Sequence, residues 1–219
     1  MQAKPTRWSR QLTHLGLASL VSVLYLLISS FFPPDKQGNV LLIALGYLSL
    51  LLVGVTLLIG PLNLLRQRRN PVNIDLRRDI GIWAGLTGCW HAFLALRGSL
   101  NYQRILLYFF RQDNTPLLTL YGLSNDAGLF ATLLLLLLLA LSNTLTLRKL
   151  KGKRWKWLQR FNYLLILLAL AHSFGFQSLN LRGPLWTWAV LVLIFIILLC
   201  QIWGITLLLL RRRRVRRFS

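Results

Sequence analysis

The sequence predicts an all-α membrane protein, with one domain over residues 1–219 that is built from six transmembrane helices. Hydrophobic residues make up 55% of the chain and charged residues only 14%, whereas about a quarter of the residues in soluble domains are charged. The apolar residues are gathered into six runs, each close to the roughly 20 residues that a helix needs to cross a bilayer. The basic residues are clustered between these runs. These observations together predict a multi-pass bundle.

The predicted helices follow one another along the chain, and the first is taken as a retained span because Pro33 and Pro34 follow it without a small-residue cleavage site. The longest connection, about 99–126, carries several aromatic residues, which favour the membrane interface. The six helices are predicted at about 11–32, 40–62, 79–98, 127–147, 157–176 and 184–210.

The distribution of basic residues predicts the orientation of the bundle. If the six runs span the membrane, 21 of the 26 Lys and Arg residues lie on the side of the two termini and 5 on the opposite side. Cytoplasmic loops carry the excess of basic residues, so both termini are expected to be cytoplasmic. The net charge of +21 therefore does not predict a nucleic-acid partner. The protein is expected to be a multi-pass integral protein of a bacterial-type plasma membrane, or of an internal membrane with equivalent topology.

Two histidines lie well inside apolar runs, where an ionisable side chain is costly and indicates function. His91 is about 12 residues into the third predicted helix, and His172 is about 15 residues into the fifth. At 1.5 Å per residue both lie roughly 18–22 Å from the inner surface, because these two helices run in the same direction. Two imidazoles cannot complete a zinc site, but they complete six-coordinate iron in a macrocycle. The pair therefore predicts one haem b in the outer half of the bilayer, with His91 and His172 as metal ligands.

Small residues share a helix face with His91, and Gly88 is the nearest of them. Such a stripe can form a flat wall for a porphyrin, or it can be a surface where membrane helices pack closely. His14 lies near the inner end of the first helix. It is expected either to form interfacial hydrogen bonds or to contact a quinone, a flavin or haem propionates.

Four segments resemble a known family. They are LTHLGLASL from Leu12, TLLIGPL from Thr56, RRDIGIWAGLTGCWHAFLAL from Arg77, and KLKGKRWKWLQRFNYLLILLALAHSFGF from Lys149. They resemble the haem-binding membrane subunits of the methionine-sulfoxide reductase system (MsrQ, or YedZ), in the ferric reductase-like transmembrane superfamily. The resemblance implies a six-helix b-type cytochrome. It would take electrons from a cytoplasmic flavin reductase or from quinol and pass them to an outer-side partner such as a periplasmic methionine-sulfoxide reductase.

Arg77 and Arg78 match an arginine pair of these relatives, and the resemblance implies that they contact haem propionates. The alternative is that they are positive charges at the inner surface that only set the membrane topology. Gln159 stands where relatives carry a further histidine associated with an inner haem, and Tyr47 stands where they carry arginine. Because an amide is a poor iron ligand, we expect one haem rather than two. A quinone or FMN near His14, Arg77 and Arg78 would then carry electrons across the inner half.

The chain contains no GxGxxG motif for a flavin or nicotinamide domain. Any soluble reductase that donates electrons is therefore expected to be a separate protein, and the basic inner face would attract an acidic donor or anionic lipid. The chain is accordingly interpreted as an electron-transfer subunit more than as a complete enzyme. Two alternatives remain open at this point: a self-sufficient ferric reductase, and a cofactor-free membrane scaffold or assembly factor that keeps the fold.

Overall fold

A computed structural model describes residues 7–31, 37–66, 74–97, 106–111, 115–143, 146, 149–150, 154–155, 157–179 and 184–217. In these ranges the chain forms six long helices and no β-strand beyond an isolated bridge between Phe110 and Pro116. The helices are α1 (Arg7–Ser30), α2 (Gln37–Leu65), α3 (Ile74–Arg97), α4 (Leu120–Leu141), α5 (Phe161–Leu179) and α6 (Pro184–Arg217). The prediction of an all-α protein is confirmed for this part of the chain.

Five of these helices are long and apolar enough to cross a membrane: α1, α2, α4, α5 and α6. The exception is α3, which contains Arg77, Arg78, Asp79 and His91. Charged and imidazole groups lower the hydropathy of a helix that is otherwise apolar. The candidate functional residues of α3 are therefore among those that lower its hydropathy below that of the other five helices.

The predicted limits of the fourth and fifth helices are wrong. The fourth was expected at 127–147, but α4 begins at Leu120 because the Thr119 side chain caps it and accepts a hydrogen bond from the Gly122 N–H at 3.2 Å. The expected 99–126 connection therefore ends at Thr119, and Asn125 lies within a helix. The fifth was expected from 157, but α5 begins at Phe161, which leaves Gln159 in the preceding turn.

The helices pack most extensively in two pairs, α2 with α3 and α4 with α5, and the two pairs face each other. Close approach within the first pair is visible at Ser49, whose hydroxyl donates to the Ala84 carbonyl at 2.9 Å. α2 is the central element, since it also contacts α1 and α6, and Ala44 and Leu48 on it have no exposed surface. A helix that is apolar on all sides and surrounded by neighbours is typical of a bundle centre.

The bundle has two distinct ends. We call the end where α2 finishes at Leu65 and α3 begins at Ile74 the basic end, since Arg66, Arg77 and Arg78 lie there. At the opposite end, residues 106–111 and 115–119 form a short hairpin-like segment, in which the Leu117 N–H donates to the Phe109 carbonyl at 2.8 Å.

Candidate functional site

His91 of α3 and His172 of α5 lie next to each other in the core of the bundle. Their ring centroids are 6.0 Å apart and their planes are inclined by 82°. The residues are 81 positions apart in sequence, so only the packing of the two helix pairs brings them together. The two histidines were expected to lie at the same level of the bundle, and the structure places them side by side.

Each imidazole uses the same nitrogen to contact the backbone of a neighbouring helix. His91 Nδ1 lies 2.7 Å from the Leu42 carbonyl oxygen of α2, and His172 Nδ1 lies 2.8 Å from the Ser124 carbonyl oxygen of α4. A carbonyl oxygen only accepts hydrogen bonds, so Nδ1 carries the hydrogen in both rings and the lone pair of the neutral imidazole is on Nε2. This is the tautomer in which a metal-binding histidine donates its second ring N–H to a backbone carbonyl.

Two glycines provide the space that the rings occupy. A Cβ added to Gly46 would lie 2.9 Å from both Nδ1 and Cε1 of His91, and one added to Gly128 would lie 2.5 Å from Nδ1 of His172. Any larger residue would therefore displace an imidazole. The sequence analysis missed Gly46 and Gly128, although a glycine inside an apolar helix is a recognised sign of close packing.

The spacing of the rings fits a haem. Imidazole–metal bonds of about 2 Å, together with roughly 1.1 Å from a ring nitrogen to the ring centre, put two axial imidazoles about 6 Å apart. Among the residues described, no group of three or more His, Cys, Asp or Glu side chains could hold a metal ion. Two imidazoles would suffice for a metal whose other four ligands come from a macrocycle, so the pair would suit a haem better than a bare metal.

A row of aromatic rings links His172 to the hairpin-like segment. The Phe176 ring lies 4.9 Å from the His172 ring and 5.8 Å from Tyr121, and Tyr121 stacks on Tyr108 at 6.1 Å. Asn125 donates to the Tyr108 carbonyl at 3.2 Å, which ties this segment to α4. These contacts form an apolar cover over this side of the histidine pair.

Gly88 lies where three helices meet. A Cβ at this position would lie 2.6 Å from the Ser49 hydroxyl oxygen of α2 and would overlap Leu135 of α4. The glycine thus serves close helix packing, which was the alternative interpretation of its small side chain. A haem contact at Gly88 stays a prediction.

Tyr47, at the position where the sequence resemblance implies arginine, takes part in a different contact. Its ring stacks on Trp186 of α6, with centroids 4.6 Å apart, and its hydroxyl accepts a hydrogen bond from Gln177 at 3.1 Å. The side chain thus links α2 to α5 and α6.

At the basic end, a buried carboxylate collects three basic side chains. Asp79 Oδ1 lies 3.3 Å from Arg10 Nη2, 3.7 Å from His14 Nε2 and 3.6 Å from Arg78 Nε. The Asp79 side chain is only 4% exposed, and Arg78 also pairs with Asp75 at 3.1 Å. Ionisable groups at membrane depth are expected to pair with one another in this way. The sequence analysis singled out His14 and Arg78 but missed Asp79, their common partner.

Arg77, Arg78 and Gln159 line a small cavity at the same end, between α2, α3, α4 and α5. About 30 Å³ of it is wide enough for water. Arg78 is 13 residues before His91 on α3, which corresponds to about 20 Å along the helix. The structure therefore gathers the predicted site residues into two places: His91 and His172 in one, and His14, Arg77 and Arg78 in the other.

The fold and the partly buried imidazoles define an integral membrane helical bundle with a pair of candidate metal ligands between α3 and α5. Within that class, the chain belongs to the family described as "Ferric reductase like transmembrane component", whose sequence model matches residues 45–170, more than half of the 219 residues. The match contains Gly46, Arg77, Arg78 and His91, and it ends two residues before His172. Membership indicates a membrane electron-transfer component. No curated protein and no solved structure matches the chain.

Proposed function

We propose that this protein is a haem b-binding electron-transfer subunit, with one haem held between α3 and α5 by His91 and His172. The observation that carries the proposal is the pair of neighbouring imidazoles, with ring centroids 6.0 Å apart and each with its Nδ1 against a backbone carbonyl. A haem held there would supply one-electron transfer, because its iron changes oxidation state without leaving the site.

The protein's own residues would have three tasks in this mechanism. The Leu42 and Ser124 carbonyls hold each ring in the tautomer that presents Nε2. Gly46 and Gly128 allow the rings to sit against α2 and α4. The aromatic residues around His172 limit the access of water, and low polarity around a metal centre is one of the factors that set its reduction potential.

We propose an orientation with both termini in the cytoplasm, α3 crossing the membrane as a sixth span, and the basic end at the inner surface. The support is the partition of basic residues, 21 against 5. Electrons would enter at the basic end from a separate flavin reductase or from a quinone. They would leave at the opposite end to an acceptor protein, such as a methionine-sulfoxide reductase in a bacterial-type periplasm.

We propose a single haem per chain. Gln159 stands where the resemblance implies an inner histidine ligand, and an amide is a poor substitute for imidazole. About 20 Å along α3 separates Arg78, at the basic end, from His91, so a quinone or FMN near His14, Arg77 and Arg78 is the proposed carrier across this half.

Haem quantification with a reduced-minus-oxidised spectrum tests the proposal directly. Purified wild-type protein is expected to hold about one haem b per chain in a six-coordinate, low-spin form. His91→Ala and His172→Ala are each expected to lose it while the protein still inserts in the membrane. His14→Ala is the matched control and should keep the haem, since His14 lies against Asp79 at the basic end.

The outcomes separate the candidate functions. Full haem retention in both core variants contradicts the assignment of the ligands. A colourless wild-type protein favours a cofactor-free scaffold or assembly factor instead. Reduction of ferric iron by the isolated protein without an acceptor protein favours a self-sufficient ferric reductase.

A further inference from the structure

The cavity at the basic end is lined by hydrogen-bond donors that lack acceptors. Arg77 Nε and Gln159 Nε2 are both buried, and neither has a hydrogen-bond partner among the residues that the structure describes. Arg78 Nε also makes no hydrogen bond there, but it lies 3.6 Å from Asp79 Oδ1 in an ion pair. A buried donor without an acceptor costs roughly 1–3 kcal/mol, and more when the group is charged. Two such donors at one small cavity are therefore unusual in a stable fold.

Other polar side chains of the cavity do not relieve these donors. The Asn162 side-chain amide donates to the Thr56 hydroxyl at 2.7 Å, and the Thr56 hydroxyl donates to the Val53 carbonyl at 2.6 Å. The Ser142 hydroxyl donates to the Leu138 carbonyl at 2.7 Å. These groups bond with one another or with their own helices.

The charges at this end are also unbalanced. Arg78 pairs with Asp75 and Asp79, and Asp79 pairs in addition with Arg10. In the described part of the chain, no carboxylate lies within 4.0 Å of Arg77. Among the residues described, Arg77 is thus a partly buried cation without a carboxylate partner. An uncompensated charge in such a position is strongly unfavourable.

We infer that this cavity is a binding site for an oxyanion, namely a phosphate group held by Arg77, Arg78 and Gln159. A phosphate group supplies both the acceptor oxygens and the negative charge, and arginine is well suited to bind it. Gln159 fits this role because its amide nitrogen is a donor. The residue that is a poor ligand for iron is thus a good ligand for an anion.

The size of the cavity limits what enters it. The space open to the centre of a water-sized sphere is about 30 Å³, which is more than the roughly 10–15 Å³ that one water molecule needs on this measure. A small group such as a phosphate can therefore enter, whereas a whole porphyrin or flavin cannot. The phosphate can belong to an anionic lipid head group or to a small soluble molecule that enters from the basic end. The inference does not depend on haem binding at His91 and His172.

Thermal unfolding of the purified full-length protein tests the site. The two probes are inorganic phosphate at constant ionic strength, in lipid-free detergent, and phosphatidylglycerol compared with phosphatidylcholine in nanodiscs. A bound anion stabilises the folded state by mass action, and about 1 kcal/mol shifts the Tm of a chain of this size by about 2–4 °C. We expect a rise of several degrees with at least one probe.

Substitutions test whether the anion-dependent rise in Tm arises from binding in this cavity. Arg77→Gln and Gln159→Leu are expected to lose the anion-dependent rise in Tm. Arg66→Gln is the matched control and should keep it, because Arg66 is exposed at the same end and does not line the cavity. Without any anion, Arg77→Gln should raise the Tm, since it removes the unpaired charge.

The result also identifies the source of the phosphate. A rise with inorganic phosphate in detergent supports a soluble phosphate-bearing ligand, and a rise with phosphatidylglycerol alone supports a lipid head group. No rise with either probe overturns the inference, as does a rise that persists in both cavity variants. The haem content of the same samples is measured separately, so failure here is distinguishable from failure of the haem assignment.

Discussion

Alanine substitution of the glycines beneath the two histidines should disturb the site without removing a ligand. An added Cβ at Gly46 would lie 2.9 Å from His91 ring atoms, whereas ordinary contact begins at 3.4 Å, so the ring must move by about 0.5 Å. At Gly128 the corresponding distance to His172 Nδ1 is 2.5 Å, so the required shift is about 0.9 Å. The second substitution should therefore be the more damaging one.

The hydrogen bonds of the rings set the scale of the damage. His91 Nδ1 is 2.7 Å from its carbonyl partner, and an N–H···O bond extends to about 3.2 Å. A shift of about 0.5 Å can use this whole margin, and the larger shift at Gly128 exceeds the margin of His172, whose bond is 2.8 Å. Overpacking costs about 1–3 kcal/mol, while replacing Gly by Ala in a helix gains about 1 kcal/mol. The expected net loss of stability is about 0–2 kcal/mol.

Haem content, the visible spectrum and the low-spin electron paramagnetic resonance signal are the appropriate assays, because the last depends on the orientation of the axial rings. Haem retention should fall in the order wild type, Gly46→Ala, Gly128→Ala. Gly16→Ala is the matched control, since nothing lies within 4 Å of its added Cβ, and it should retain haem fully with equal or higher stability. Unchanged haem content and an unchanged resonance signal in both core variants would refute the proposed contact between the glycines and the ligands.

Three further predictions concern the basic end and the topology. Gln159→His should raise the haem content toward two per chain if an inner ligand is all that is lacking, and wild-type protein that already holds two haems would contradict the proposal of one. Leu118 is 73% exposed in the hairpin-like segment, so the variant Leu118→Cys should react with an impermeant thiol reagent from outside intact cells. The variant Trp8→Cys should react only after lysis. The reverse pattern would contradict the proposed orientation. Asp79→Asn should destabilise the bundle by about 3–5 kcal/mol, because it leaves the buried Arg78 with one partner fewer. Chemical denaturation measures this loss. A free energy of unfolding equal to that of wild type would show that the cluster contributes little to stability.

The limits of the sequence-based reasoning are clearest at α4. Hydropathy placed its start at about 127, since Ser124, Asn125 and Asp126 interrupt the apolar run. The helix starts at Leu120 because Thr119 caps it and because these polar groups are accommodated within the bundle, where Ser124 donates to the Leu120 carbonyl at 2.6 Å. A threonine before an apolar run can indicate the start of a helix. The predicted start was nevertheless placed from the hydropathy of the run, which does not take the cap into account.

The basic end shows a second limit. His14, Arg77 and Arg78 could be singled out by type and position, but their grouping could not be predicted. Asp79 joins α1 to α3 through Arg10, which is 69 residues away in sequence. Opposite charges in the sequence do not reveal which of them will be buried together.

The sequence by itself determined the membrane-embedded helical class, five of the apolar spans and the similar depths of His91 and His172. These properties follow from local hydrophobicity and from the constant rise of a helix, both of which are sums over neighbouring residues. Only the tertiary structure decided that the two rings lie next to each other, and that Gly46 and Gly128 pack against them. The physical reason is that these contacts join helices about 50 residues apart in sequence, where the rotation of each helix about its axis depends on packing against its neighbours.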